Sequence, residues 1–99
     1  MVDDDFSVIE ILGEKIQNIE DFHKQIEEIL NISPYYGRNI NALEDVLCSF
    51  WQTTLVWHNS DLSKNRLGQD FHDVITVFDR IRKSHTDNGL SGAFTYILK

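Results

Sequence analysis

Three short runs of β-branched and aromatic residues, at 6–12, 53–58 and 93–98, are separated by stretches in which apolar residues return every three or four positions. Strand-length runs joined by helical crossovers fold into a small parallel sheet with right-handed connections, so this alternation constrains the chain more than its overall composition does. In 6–12 and 93–98 the apolar residues are almost continuous, which is the pattern of strands covered on both faces. Between the strands, Ile19, Phe22, Ile26, Ile29 and Leu30 share a helical stripe, as do Phe71, Val74, Ile75, Phe78 and Ile81. A third helical segment is predicted over 39–52. At about 100° per residue, Leu43, Leu47 and Phe50 point one way, flanked by Ile40 and Val46, while Asn41, Asp45, Cys48 and Gln52 point the other. A polar linker compatible with a helix runs over 61–66, and the predicted order is strand, helix, helix, strand, linker, helix, strand.

A chain of 99 residues holds one domain, 1–99, with no room for a second. The acidic opening at 1–5 is expected to be a loose tail. With 41% hydrophobic and 25% charged residues the chain has the composition of a folded globular protein. Its formal net charge of -7 repels phosphate backbones and anionic membranes and favours a basic protein partner. Cys48 is the single cysteine, so no intrachain disulfide forms, and no segment joins a basic start to an apolar h-region. These features lead to the expectation of a cytoplasmic protein, monomeric when free.

Patterns that carry chemistry are missing. The histidines His23, His58, His72 and His85 fall on three elements and a loop (His85), and no two stand three or four residues apart, so no metal site is expected. His23 adjoins the apolar stripe of its helix and reads as a packed, hydrogen-bonded residue. No glycine-rich phosphate loop occurs, and Asp87-Asn88-Gly89 reads as a turn because a calcium loop would need further oxygen ligands. The carboxylate pairs Glu27/Glu28, Glu44/Asp45 and Asp70/Asp73 are what acidic helix surfaces present by chance. Neither an enzyme nor a cofactor is expected.

What stands out is the run from Pro34 through Tyr35, Tyr36, Gly37, Arg38 and Asn39 to Leu47. Two tyrosines precede a glycine turn, Asn39 is placed as an N-cap, and the helix after it shows Asn41 and Asp45 one turn apart on its outward face. Tyrosines beside an exposed acid suit a binding edge, and they equally suit a plug that seals the helix start against the core.

This run resembles the signature of the barstar family, intracellular inhibitors of the secreted ribonuclease barnase. Tyr35, Tyr36, Gly37, Asn39, Ala42, Leu43 and Asp45 match it in register. The resemblance extends over nearly all of the chain from Lys15: Ile19, Asp21, Phe22 and His23 are similar to the family's first helix, Leu55-Val56 to its second strand, Val77-Phe78 to a later helix and 95–98 to its last strand. It implies an α/β, barstar-like two-layer fold, a three-stranded parallel sheet packed with three to four helices. It further implies that the second helix and its preceding loop enter a ribonuclease active site, where acids replace RNA phosphates against catalytic Arg, Lys and His. On that basis Tyr35 stacks on a catalytic histidine, Asn39 touches the rim and Asp45 fills the phosphate pocket. The candidate partner-binding set is Tyr35, Tyr36, Gly37, Asn39, Asn41, Glu44, Asp45, Cys48 and Arg80.

At three of these positions the sequence departs from the family pattern. Asn41 stands where an Asp is usual, Glu44 where the best-known member has a Trp, and Arg80 where that member has an acid. Glu44, three residues after Asn41, is expected to restore locally the charge lost there. Arg80 is expected to meet a basic nuclease unfavourably. The expected function is therefore an immunity protein or antitoxin of bacterial type, whose partner is a cognate basic ribonuclease or toxin nuclease domain. The alternative is a barstar-fold binding module for another basic partner, such as a toxin nuclease unrelated to barnase.

Overall fold

The computed structural model describes residues 7–32, 36–87 and 92–99. The acidic tail, Phe6, Pro34, Tyr35 and the turn expected at Asn88-Gly89 lie outside the described residues. Strands β1 (Ser7–Leu12), β2 (Thr53–His58) and β3 (Thr95–Leu98) form one parallel sheet in the order β1-β2-β3. Helices α1 (Ile19–Leu30) and α2 (Ile40–Leu47) lie between β1 and β2. Helices α3 (Ser60–Leu67) and α4 (Gln69–Asp87) lie between β2 and β3. The fold is α/β with two layers, as the alternation of periods predicts.

The central strand sets the core. Thr53, Leu55 and Trp57 alternate inward, and all three are buried. Trp57 stacks on Phe22 of α1 with ring centroids 5.1 Å apart and meets Phe71 and Phe78 of α4, so both helices cover the same face of the sheet. Its indole N–H donates to Ser63 Oγ at 3.0 Å, which satisfies the one polar atom of a fully buried ring. The chain leaves β1 through a 3-10 turn, Gly13–Lys15. A Cβ on Gly13 would run into the backbone carbonyls of His58 and Asn59, so only glycine lets the turn lie this close to the end of β2.

The opposite face is open. Val8, Thr54 and Thr95 share one outward row and Glu10, Val56 and Ile97 the next; Val8 is 64% exposed and Ile97 46%. The expectation that β1 and β3 are covered on both faces is corrected: every described helix that reaches Trp57 does so from one side, and continuous apolar sequence here leaves aliphatic side chains in water. The free edge of β1 is partly closed by Gln25, whose amide accepts from Leu12 N–H and donates to Leu12 O, both at 2.9 Å.

Helix α2 is shorter than its periodicity suggests. It ends at Leu47, and Ser49 and Phe50 wind down through bonds to Val46 and Leu47 at 3.3 and 2.9 Å. In a continuing helix the Cys48 carbonyl would accept from Gln52 N–H. Here it accepts from His85 Nε2 at 2.9 Å, while Gln52 N–H turns to Gly92 O and Gln52 takes φ 56°. Phe50 and Gln52 therefore leave the helix faces assigned to them. His85 itself sits buried in α4 rather than in a loop, because α4 runs on to Asp87.

Candidate functional site

Helix α2 presents two faces, as its spacing requires. Leu43 and Leu47 are fully buried in the core on the side where α2 packs on α4, whereas Asn41, Asp45 and Cys48 are exposed. Asn39 caps the helix: its Oδ1 accepts from Ala42 N–H at 2.8 Å and its Nδ2 donates to Gly37 O at 3.2 Å. Gly37 lies tight against that cap, with 3.2 Å between an added Cβ and Asn39 Nδ2. The Cys48 thiol donates to Asp45 O at 3.1 Å, a local bond on the helix's last turn.

The loop entering α2 is tied to α1 at two points. Tyr36 is 6% exposed, and its hydroxyl shares a 2.6 Å hydrogen bond with His23 Nδ1, so this tyrosine is the plug of the helix start. Burial pushes the Tyr36 phenol up, with the Glu27 carboxylate adding to the effect, and burial holds the His23 imidazole below its ordinary value. Arg38, at φ 52°, forks onto Glu27 with bonds of 3.0 and 2.9 Å. The hydrogen bonds to Glu27 raise the Arg38 pKa further, which keeps the pair charged. The first tyrosine of the motif, Tyr35, lies outside the described residues.

Glu44 and Arg80 meet across α2 and α4. Arg80 Nε donates to Glu44 Oε2 at 2.8 Å and Nη2 to Oε1 at 3.0 Å. Glu44 therefore does not restore the charge missing at Asn41: both of its oxygens are taken by a cation. Arg80 is likewise not a bare positive charge. Asp45 differs from both, since among the described residues no cation pairs with its carboxylate. The structure thus gathers Tyr36, Gly37, Asn39, Asn41, Glu44, Asp45, Cys48 and Arg80 in and around one helix. Exposure then separates them into a buried anchor (Tyr36), an outward row (Asn41, Asp45, Cys48) and a neutralised flank (Glu44, Arg80).

Three residues outside the candidate set support it: His23 is packed and hydrogen-bonded as its place beside the apolar stripe predicts, whereas Glu27 and His85 carried no such signal. Glu27 holds Arg38, His23 holds Tyr36, and His85 holds the far end of α2 at Cys48. Trp51 stacks on the His85 ring at 3.6 Å and stays partly exposed beside that end. No spacing rule links residues on separate elements; the only signal was that His23 adjoins an apolar stripe.

The sequence itself is similar to known proteins. Residues 6–96 match the family described as Barstar (barnase inhibitor). This chain belongs to the barstar family. Within its reach lies the Bacillus subtilis (strain 168) protein named "Putative ribonuclease inhibitor YrdF", 35% identical over 77 residues that make up 76% of this chain and 85% of that relative. The barstar-family match covers every described strand and helix except the last two residues of β3, so Asn39, Asp45 and the ties behind them all fall within the family region. Among the described residues no helix is long and apolar enough to cross a membrane, and no cluster of three or more His, Cys, Asp or Glu side chains is placed to hold a metal.

Proposed function

We propose that this chain inhibits a ribonuclease by seating the outward row of α2, with Asp45 at its centre, in the active site of the enzyme. The observation that carries the reading is a carboxylate that no cation among the described residues pairs, on a helix fixed at both ends by the Asn39 cap and by the His85 bond to Cys48. A carboxylate presented this way stands in for an RNA phosphate and bonds Arg, Lys and protonated His without first having to be ordered. Asn41 supplies hydrogen bonds without charge, and Tyr36 keeps the loop in place from inside the core. Family membership and the name of the Bacillus relative support the same reading.

In this account the protein works in the cytoplasm as an immunity protein or antitoxin against a basic ribonuclease of its own host or strain, and it performs no catalysis itself. The pairing of Glu44 with Arg80 favours one second reading, a target nuclease whose surface differs from that of barnase. The test is RNA cleavage by a purified basic ribonuclease from the same host with the chain in excess. Cleavage should cease; undiminished cleavage contradicts the proposal.

A further inference from the structure

The Arg80–Glu44 pair leaves part of its hydrogen-bonding capacity open. A guanidinium carries five N–H groups in a rigid fork. Glu44 occupies the Nε/Nη2 edge, and among the described residues nothing bonds the Nη1/Nη2 end. The Arg80 side chain is 56% exposed and that of Glu44 33%. Glu44 precedes Asp45 directly in α2, so the pair sits on the α4 flank of the row proposed to enter the nuclease. Covering it would strip water from three N–H groups, each of which needs an acceptor once buried. A carboxylate satisfies two of them at once in the same two-point geometry that Glu44 uses on the other edge. Phosphate has matching oxygens, but a chain of net charge -7 repels a polyanion.

We infer that Arg80, oriented by Glu44, is a specificity determinant whose open edge receives a carboxylate of the partner nuclease. The inference rests on the inhibitor reading above. Glu44 is the positioning residue: it removes the rotational freedom of the guanidinium and offsets its charge. The site then rejects a nuclease with a cation at this point and accepts one with an acid.

Barnase, the enzyme in the family's description, is a suitable probe. Single barnase variants with each Arg or Lys around the active-site mouth changed to Glu are titrated calorimetrically against the wild-type chain, Arg80→Ala and Asp45→Ala. An exposed ion pair adds little to folding, so Arg80→Ala stays folded. At least one barnase variant should bind the wild-type chain tenfold or more tightly than wild-type barnase does, and that gain should vanish with Arg80→Ala. If no variant shows an Arg80-dependent gain, the inference is overturned. Asp45→Ala separates the two levels: lost affinity without any Arg80-dependent gain removes the inference and leaves the inhibitor reading standing, whereas measurable wild-type binding that Asp45→Ala does not weaken against any barnase form removes both.

Discussion

His85 ends helix α2 by giving its Nε2–H to the carbonyl of Cys48, 37 residues away in sequence. The ring is fixed as one neutral tautomer, because Phe94 N–H donates to its other nitrogen at 2.9 Å. One buried side chain thus joins the end of the candidate recognition helix, the long helix α4 and the approach to β3, with Trp51 stacked over it.

Removing that ring leaves the Phe94 N–H and the Cys48 carbonyl without their partner. Each unsatisfied buried group costs about 1–3 kcal/mol, so His85→Ala should lose about 2–4 kcal/mol of stability, read as a lower urea midpoint at unchanged slope. A loss under about 0.5 kcal/mol would show that water replaces the ring without penalty.

Acid should weaken the fold through His23. Burial lowers its folded-state pKa below the unfolded value near 6.5, with Arg38 adding to the shift and Asp70 and Glu20 opposing it. The unfolded chain therefore binds the proton more readily. The stability that His23 contributes is complete above about pH 6.5 and is lost as pH falls through the lowered folded value. Thermal melts between pH 8 and pH 5 should show a steeper acid loss for the wild type than for His23→Gln. Equal slopes would mean that the ring gains a proton in place.

The phenol on the other side of that bond should matter as much. Tyr36→Phe keeps the buried ring and deletes the 2.6 Å bond, leaving His23 Nδ1 unpaired, at a cost of about 1–3 kcal/mol. Chemical unfolding measures this directly. No change would reduce Tyr36 to its apolar ring.

Association with a basic ribonuclease should slow as salt is added, since the chain carries a net charge of -7. Glu44 and Glu27 are already matched by Arg80 and Arg38, so the attraction comes from the charge of the whole chain more than from the flanks of α2. Stopped-flow rates that stay flat between low and high ionic strength would limit the acidic balance to a role in solubility.

Much of this architecture is legible in the residues. Thr53–His58 shows its β-branched and aromatic content at strand length, and Ile19–Leu30 shows its stripe between the Asn18 cap and the left-handed Asn31. Ser60–Leu67 is harder to read, because a short helix of mostly polar residues leaves only a linker signal. The end of α2 is not written in 39–52 at all; it is set by the ring of His85 arriving from α4. For the same reason Glu44 and Arg80 read as separate oddities in sequence and as one ion pair in space. Asn39 and Asp45 needed only local rules, capping and the turn of a helix, and those were enough to place them.

The central claim is that Asp45 is what the ribonuclease binds. It is exposed, free of any pairing cation among the described residues, and opposite the buried Leu43 and Leu47. Inhibition of RNA cleavage by the wild-type chain and by Asp45→Ala, measured beside their thermal melts, tests this most directly. The account predicts a loss of at least about 2 kcal/mol in binding, roughly a 30-fold weaker inhibitor, with an unchanged melt. An Asp45→Ala chain that inhibits as well as the wild type, or one that fails because it no longer folds, would contradict it.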